Sequence, residues 1–591
     1  MINIIKKIIE NTIYIIKEIW GFDKKLVIII ICSIPVAVIL SVLDLYSPAI
    51  IIGALKNSTK VKDLVLIILA LLSIKNIMYL FNNYINSIKN VSEHKMVLHF
   101  ISILAEKKMD VDYDSLESPE IKLKAEKANQ ATSSNHTDAM QIQNTIASLC
   151  TNLLKFVIYS GVLCMLNPII ILVLLITAGL EYITIICIDS YENKTKDKRV
   201  QVSRKLWYVA NISDNYSAAK DIRLFGLKGW LSNLSNIYLK EHKSIFNKLA
   251  KRKILFSLLD LLIILLRDGL AYWYLFSKIF SGELSVGEFV LYFSAISQFV
   301  EILGNVVFSF EGIQKASYQI TDIREYLGLK NKFNRNKGPD IPKGNTIIEL
   351  KNVSFKYPNS DDYILHNLNL KIHENENIAL VGMNGAGKTT LIKILTGMYV
   401  PTEGYITINN IPINDYNRDE YYKLFSAVFQ KISILPVSIA DNITIGKTEE
   451  DKLHSCIHNA GITKMISSLK NGYNTLLNKE INYDATELSG GEKQKLMLAR
   501  ALYKNGPIFV LDEPTAALDP IAECIIYEKY NSFTNNKSSI FISHRLASTK
   551  FCDKIVLLED GVVAEYGSHD ELMEKGGKYA KMYEIQSQYY R

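Results

Sequence analysis

Six apolar stretches in the first half of this 591-residue chain are each long enough to cross a lipid bilayer. The hydrocarbon core of a bilayer is about 30 Å thick, and an α-helix needs roughly 20 mostly apolar residues to span it. The stretches lie at approximately 26–45, 64–85, 145–166, 168–188, 254–276 and 286–310. No comparable stretch follows Tyr318. The sequence therefore predicts an all-α, six-helix transmembrane domain followed by a domain in water.

The connections between these stretches predict which side of the membrane each end faces. Only Asn167 and Pro168 separate the third stretch from the fourth, whereas long polar segments follow the second and the fourth. The segment after the fourth stretch is basic, as the bias of cytoplasmic loops towards Lys and Arg requires. Its basic residues include Lys194, Lys196, Lys198, Arg199, Arg204, Lys205, Lys251, Arg252 and Lys253. We therefore expect a multi-pass protein of the cell membrane with its C-terminal half in the cytoplasm, although the basic loop from Lys56 to Lys62 is an exception.

Other features of the composition exclude several classes of protein. A formal net charge of +7 is modest for this length and does not indicate a nucleic-acid partner. The seven cysteines occur singly, without the spacing of a zinc site or a disulfide framework. Residues 1–20 place isoleucines at helical spacing between charges, which predicts an amphipathic helix on the membrane surface and not a signal peptide.

A change of composition separates the two predicted domains. Residues 328–345, GLKNKFNRNKGPDIPKGN, are polar, basic and interrupted by prolines, which is typical of a linker. We therefore assign residues 21–327 to the transmembrane domain and residues 346–591 to the second domain. In the second domain short apolar runs alternate with helical patterns, and this predicts an α/β fold around a buried parallel sheet.

The segment GMNGAGKTT, Gly382 to Thr390, predicts a phosphate-binding P-loop. It follows the apolar run NIALV and opens a helical pattern. Gly382, Gly385 and Gly387 let backbone N–H groups close around phosphate oxygens, while Lys388 reaches the outer phosphates. Thr389 offers a hydroxyl to Mg²⁺. The expected ligands are a nucleotide and Mg²⁺.

The segment IFVLDEP, beginning at Ile508, predicts the hydrolytic part of the same site. Four apolar residues form a buried strand, and Asp512 at its end is expected to bind the metal. Glu513 is expected to orient or deprotonate the attacking water. The pattern therefore indicates an NTP hydrolase.

The segment LSGGEKQ, Leu488 to Gln494, lies between the P-loop and IFVLDEP, and this order of motifs resembles the nucleotide-binding domain of ABC transporters. The whole chain resembles a bacterial ABC exporter half-transporter. The resemblance implies that Tyr357 stacks on adenine and that Gln430 contacts Mg²⁺. It further implies that His544 contacts the γ-phosphate and that Asp519 lies in a loop that communicates across a dimer. The remaining ATP-binding residues that it implies are Asn384, Ala386, Thr390, Ser489, Gly490 and Gly491.

The resemblance also implies a partner, because the family's LSGG signature binds the γ-phosphate of ATP held by the opposite domain. We expect a two-fold symmetric homodimer with two composite sites, although an active subunit paired with a different chain remains an alternative. Two positions depart from the family pattern. Ala485 and Ala516 stand where many exporters have glycine and serine. These departures concern coupling more than hydrolysis.

The fusion of a hydrolase to six predicted spans indicates ATP-driven transport. Residues near 113–122 and 219–226 resemble the coupling helices that dock on the ATPase domains of exporters, and alternating access is the implied mechanism. The resemblance favours a peptide as the exported substrate, with a lipid or drug exporter or an ATP-gated channel or sensor as alternatives. Asp260 and Arg267 are seven residues apart on one helix face, and they predict a polar cavity, a structural ion pair or a cytosolic extension of the helix.

Overall fold

The computed structural model describes residues 2–56, 60–215, 218–342, 346–358, 360–431, 433–479, 481–514, 534, 537–543 and 545–588. The chain divides into two compact units. The helical unit consists of Met1–Glu106 and Lys124–Leu327. The α/β unit consists of Lys107–Leu123 and Gly328–Arg591. The α/β unit thus includes a short segment that the sequence placed in the transmembrane domain.

Helices account for nearly all of the described part of the chain up to Leu327. They are α1 (Ile2–Phe22), α2 (Lys24–Lys56), α3 (Val61–Asp110), α4 (Tyr113–Glu117), α5 (Pro119–Ala131), α6 (Asp138–Leu166), α7 (Pro168–Asp214), α8 (Ala219–Leu224), α9 (Lys228–Phe280) and α10 (Val286–Leu327). Helix α4 lies in the α/β unit, together with the end of α3 and the start of α5.

Several helices continue far beyond the apolar stretches. The polar segments that follow the second and fourth stretches begin as continuations of α3 and α7, and α9 contains both a polar segment and the fifth stretch. Neither residues 86–110 nor residues 189–214 contain glycine or proline, so the polar segments lack the residues that most disfavour a helix. Among the described helices, α2, α3, α6, the first part of α7 and α10 are long and apolar enough to cross a membrane. Helix α9 is not among them, since its apolar part carries Asp260, Arg267 and Asp268.

The first helix packs against α10 through one of its faces. Ile15 and Ile19 are buried in a cluster with residues of α10. The buried Asn11 amide donates hydrogen bonds of 2.9 Å to the backbone oxygen and to the hydroxyl of Ser317. An apolar ridge at four-residue spacing stays exposed, formed by Ile5, Ile9 and Ile13. This division into two faces is compatible with the predicted surface helix, whose contact with a membrane stays a prediction.

The α/β unit contains two sheets. Its strands are β1 (Ile348–Phe355), β2 (Leu365–Ile372), β3 (Asn377–Val381), β4 (Glu403–Ile408), β5 (Ile411–Pro412), β6 (Phe425–Val428), β7 (Ile508–Asp512), β8 (Ser538–Ile542), β9 (Lys554–Glu559) and β10 (Val562–Gly567). The smaller sheet is antiparallel with the order β2-β1-β4-β5. The larger sheet has the order β10-β9-β3-β8-β7-β6, and its strands from β9 to β6 are parallel.

The helices of this unit follow the strands. Besides α4, the described α-helices are α11 (Lys388–Leu395), α12 (Arg418–Lys423), α13 (Ile439–Thr444), α14 (Glu450–Asn459), α15 (Thr463–Ser468), α16 (Gly490–Lys504), α17 (His569–Glu574) and α18 (Lys578–Gln588). Every residue of β7 and β8 is buried, as expected for strands covered on both faces. Because β3, β8, β7 and β6 are parallel neighbours, their carboxyl ends meet at one edge, where doubly wound sheets bind ligands.

Part of the predicted linker is packed onto this unit. Phe333 is buried in the apolar core between the sheets. The amide of Asn334 donates to the backbone oxygen of Asp415, and the backbone N–H of Arg418 donates to the backbone oxygen of Asn334. A polar, proline-containing sequence therefore follows the surface of the unit, anchored by one aromatic residue.

Candidate functional site

The P-loop adopts a conformation that only glycine satisfies at two of its positions. Gly382 has φ 150° and Gly387 has φ 95°. A Cβ atom on Gly382 would lie 2.2 Å from the backbone oxygen of Leu558, and one on Gly387 would lie 2.7 Å from Leu365 Cδ2. The neighbouring strands thus fix the loop between β3 and α11. Its backbone N–H groups lie at the positive end of α11, which suits phosphate.

The Lys388 ammonium is buried inside this loop. Its Nζ donates hydrogen bonds to the backbone oxygens of Gly382 at 2.8 Å and Met383 at 2.9 Å. Burial lowers the pKa of Lys388, and the nearby carboxylates of Glu513 and Asp512 act in the opposite direction. A poorly hydrated cation at a helix N-terminus is a strong attractor for the outer phosphates of a nucleotide.

The acidic side of the site lies at the ends of β6 and β7. Asp512 ends β7 and is buried, and Glu513 follows it with φ 53°. A left-handed conformation at a non-glycine residue costs of order 1–3 kcal/mol and is a mark of functional sites. The Gln430 amide donates to Glu513 Oε2 at 2.9 Å. The structure therefore brings together three predicted residues, with Gln430 bonded to the expected catalytic carboxylate.

The oxygen donors at this edge fit Mg²⁺. Thr389 lies in the first turn of α11 and is exposed, Asp512 supplies a carboxylate, and Gln430 supplies an amide oxygen. Mg²⁺ prefers oxygen ligands and is usually held by one or two carboxylates together with substrate phosphates. Among the residues that the structure describes, no group of three His, Cys, Asp or Glu side chains could hold a metal ion by itself. A phosphate-dependent ion is thus the type that these residues fit.

The predicted adenine-binding Tyr357 borders the P-loop helix. Its hydroxyl lies 2.9 Å from the Thr390 hydroxyl, and its ring meets those of Phe355 and Tyr399 edge to face, with centroids 5.3 Å and 5.6 Å away. Tyr357 is partly exposed, so an aromatic surface remains accessible beside the P-loop. Of the remaining P-loop positions, Asn384 and Gly385 are exposed and Ala386 is buried.

Helix α4 is joined to this site through Tyr399, a residue that sequence reasoning missed. The fully buried Tyr399 donates a hydrogen bond to Glu117 of α4, and its ring meets that of Tyr113 edge to face. The Nζ atom of Lys393 in α11 lies 5.2 Å from the ring centroid of Tyr113 and 5.1 Å from that of Tyr399. The same atom is 3.7 Å from Glu117 Oε1. Glu117, Tyr399 and Tyr357 therefore connect α4 to the nucleotide side of the unit.

The charge states in this connection are fixed. Burial raises the pKa of Tyr399, and the hydrogen bond to Glu117 raises it further, so the phenol stays a donor at neutral pH. Although burial opposes ionisation of Glu117, the hydrogen bond from Tyr399 and the charge of Lys393 lower its pKa. Nothing in the sequence distinguishes Tyr399 from any other core tyrosine, since its role depends on which segment packs against it.

A buried ion pair anchors the beginning of α4. Asp112 and Arg418 are 1% and 6% exposed and form a salt bridge. The Arg418 Nε also donates to the Tyr422 hydroxyl at 2.7 Å. Because an unpaired buried charge costs several kcal/mol, each of these two residues requires the other. The segment near 113–122 is therefore an integral part of the α/β unit.

The predicted signature lies at the N-terminus of α16. Ser489 is the N-cap, and it forms a reciprocal capping box with Glu492. Gly490 and Gly491 are the first residues of the helix. Ser489 and Gly490 are exposed, so this helix terminus is accessible from outside the unit.

Three positions discussed above lie outside the described residues. They are Ala516, Asp519 and His544. The expected roles of Asp519 and His544 stay predictions from the resemblance. The departure at Ala485 is described, and its side chain is buried.

In the helical unit, the charged residues of the predicted spans form ion pairs between helices. Arg267 is 5% exposed and binds Glu181 of α7 at 2.8 Å and its neighbour Asp268 at 2.9 Å. Asp260 instead accepts a hydrogen bond of 2.6 Å from Thr184 of α7. Asp260 and Arg267 thus share a helix face, as predicted, and both reach α7 without pairing with each other.

Comparisons with known proteins agree with this arrangement. The family model "ABC transporter" matches residues 365–516. The subtilin transport ATP-binding protein SpaT of Bacillus subtilis is 30% identical over 80% of this chain and 77% of its own length. The nisin transport ATP-binding protein NisT of Lactococcus lactis subsp. lactis is 29% identical over 70% of each chain. The β-(1→2)glucan export ATP-binding/permease protein NdvA of Bartonella bacilliformis is 33% identical over 51% of each chain.

The chain belongs to the ABC transporter family.

A solved structure supports the fold over the full length. A bacterial Atm1-family ABC exporter with ATP bound matches with a TM-score of 0.75, covering 95% of this chain and 98% of that one, at 20% identity. The predictions of the family, of a helical membrane domain followed by an α/β ABC ATPase domain, and of ATP hydrolysis coupled to transport are confirmed. The protein is a multi-pass membrane protein with its ATPase domain in the cytoplasm.

Proposed function

We propose that this chain is an exporter of peptides that works as a homodimer by alternating access. The observation that carries the proposal is the pairing of a complete P-loop, assembled with Gln430 and Glu513, with an exposed signature at Ser489 on the same chain. Two copies would supply each other's missing half-site. The names of SpaT and NisT, which refer to subtilin and nisin, favour a peptide, whereas that of NdvA refers to a glucan.

The mechanism assigns a task to each group of residues. The N–H groups of the P-loop and Lys388 hold the outer phosphates of ATP. Thr389, Asp512 and Gln430 would hold Mg²⁺, and the ion would supply positive charge to those phosphates. Glu513 then orients the attacking water, with Gln430 fixing its carboxylate. Binding of two ATP molecules favours the closed pair of ATPase domains, and hydrolysis removes that preference.

An apolar groove in the α/β unit supports the dimer. The groove has a volume of about 750 Å³ and lies between the α4 segment and helices α13 and α16. The residues lining it include Met398, Phe429, Ile445, Arg500 and Tyr503. In the helical unit, Leu224 and Phe225 at the end of α8 are 78% and 68% exposed. Because α4 packs on the ATPase domain of its own chain, we assign the groove to α8 of the second copy.

The peptide proposal is tested by transport into sealed vesicles. Purified protein would be reconstituted with its ATPase domain outside, and uptake of fluorescent peptides would be measured with ATP. Glu513→Gln should retain ATP binding, lose at least a hundredfold in hydrolysis and abolish uptake. A glucan or a labelled lipid that stimulates hydrolysis when no peptide does would contradict the peptide assignment.

The dimer is tested by disulfide crosslinking between half-sites. In a chain whose exposed cysteines have been replaced, Asn384→Cys and Ser489→Cys would be placed on separate copies and mixed. ATP with Mg²⁺ should promote a crosslinked dimer in the Glu513→Gln background. No crosslink between the two copies, in a protein that still binds ATP, would refute the composite site.

A further inference from the structure

A lysine ridge runs along one face of α9, outside the predicted span. We define it by Lys240, Lys243, Lys248 and Lys251, which border a groove of about 370 Å³ together with the neutral Ser244 and Asn247. All four lysines are exposed. At 100° per residue these positions fall on one side of the helix, opposite the buried Leu231 and Leu249.

The described acidic side chains form no ion pair with this ridge. Among the carboxylates whose side chains the structure describes, none lies within 4.0 Å of the four ammonium groups. Glu241, the acid closest in sequence, is partly buried. It lies about 100° around the helix from Lys240, and it is about 10 Å along the axis from Lys248, the ridge lysine whose direction it shares. Four like charges on one face repel one another and attract an anionic ligand.

The length of the ridge indicates the form of that ligand. From Lys240 to Lys251 the helix rises about 17 Å, the span of roughly five residues of extended peptide. Along the helix axis, Lys251 lies about 4 Å and Lys240 about 20 Å from Ile254, where the predicted span begins. The headgroup layer on each side of a bilayer is only about 5–8 Å thick, so lipid headgroups would reach Lys251 and its nearest neighbour but not Lys240.

We propose that the lysine ridge binds an acidic segment of the exported peptide on the cytoplasmic side of the membrane. The neutral Ser244 and Asn247 between the lysines leave room for an extended backbone and offer it hydrogen-bonding groups. The basic bias of cytoplasmic loops explains the sign of the charge, but it does not require the lysines to share one face. The proposal deepens the proposed function and rests on it, because it assumes a peptide substrate.

The experiment measures binding of a labelled hexaglutamate peptide to the full chain in nanodiscs of neutral phosphatidylcholine. One variant carries Lys→Gln at all four ridge positions. The matched control removes the same charge from four exposed lysines of the ATPase domain, by Lys→Gln at Lys464, Lys470, Lys575 and Lys581. Binding of a nucleotide analogue reports whether each protein is folded.

We expect the ridge variant to bind hexaglutamate at least tenfold more weakly than the wild type, with the control variant within twofold. Binding by the wild type should fall steeply between 50 and 200 mM salt, because it depends on charge. A hexalysine peptide should not bind. Equal binding by the two variants would overturn the proposal. So would a ridge variant that changes only the response of hydrolysis to anionic lipid, since that result assigns the ridge to the membrane surface.

Hydrolysis measured with a panel of neutral and cationic peptides separates this inference from the proposed function. If hexaglutamate does not bind but another peptide stimulates hydrolysis, only the ridge proposal fails. If no peptide stimulates hydrolysis or is transported, peptide export fails, and the ridge proposal fails with it.

Discussion

Two helix N-termini in the ATPase domain contain glycines and face the predicted phosphates, but they are built differently. At the start of α11 the glycines have positive φ angles and lie against Leu558 and Leu365, and Lys388 is buried among them. At the start of α16 the terminus is held by its own capping box and is exposed. The first is a phosphate-binding loop built entirely by its own chain. The second is an exposed helix terminus, which in the proposed dimer would meet the nucleotide of the other copy.

The largest expected effect is the loss of nucleotide binding when a P-loop glycine is replaced. Gly387→Ala places a methyl group 2.7 Å from Leu365 Cδ2 at φ 95°, and both the clash and the left-handed backbone oppose it. Binding of a fluorescent ATP analogue should fall more than a hundredfold. Gly490→Ala, at a helical position, should keep binding within threefold. Comparable binding by both variants would remove the distinction between the two termini.

A second effect separates capping from phosphate contact at α16. Ser489→Ala should lose about 1 kcal/mol of stability with the cap and at least tenfold in hydrolysis. Ser568 forms the same capping box with Glu571 at the start of α17, away from the site, so Ser568→Ala is the matched control. It should lose similar stability and keep its activity. Equal hydrolysis by the two variants at equal stability would show that Ser489 only caps its helix.

A smaller effect tests the connection between α4 and the P-loop side of the unit, which runs through Tyr399. Tyr399→Phe removes the hydrogen bond to Glu117 while the ring remains. Peptide stimulation of hydrolysis should fall threefold to tenfold, with basal hydrolysis within twofold. Tyr363→Phe removes a similar bond, to Glu403, that has no contact with α4, and it should change neither rate. The combined variant Tyr399→Phe with Glu117→Gln should be no worse than the single ones, and additive losses would argue against a shared contact.

The smallest expected effect is on pH dependence. The pKa of Glu117 is lower in the folded protein than in the unfolded chain, so its contribution to stability is complete above the unfolded value of about 4.3 and is lost as pH falls through the folded value. Thermal unfolding midpoints measured from pH 7 to pH 2 should therefore differ between the wild type and Glu117→Gln at neutral pH and converge at the acidic end, below about pH 4. A difference that grows as the pH falls would assign the opposite sign to this contact.

The sequence predicted the parts of the site whose chemistry is local. A P-loop needs glycines, a lysine and a strand before them in one short segment, and Asp512 and Glu513 directly follow a recognisable buried strand. The hydrogen bond from Gln430 to Glu513 could be anticipated only from the family resemblance. The two residues are far apart in sequence and meet because strands β6 and β7 are neighbours in the sheet.

Other features depend on packing between distant segments, and no local pattern reports them. The burial of Asp112 with Arg418 and the contact of Tyr399 with α4 belong to this group. So do the partners of Asp260 and Arg267, for which the sequence left a cavity and an ion pair open. The continuation of α3 and α7 beyond their apolar stretches was readable from the absence of glycine and proline, but the polar composition favoured a description as loops.

The ion pair between Asp112 and Arg418 also has a consequence for the synthesis of the chain. The two residues are 306 positions apart, and the ribosome adds about 5–20 residues per second, so roughly 15–60 s separate their synthesis. During that interval Asp112 has no Arg418, and α4 has no sheet to pack on. A newly made chain must therefore keep this segment solvated at the membrane surface, or covered by a chaperone, until the ATPase domain emerges and encloses it.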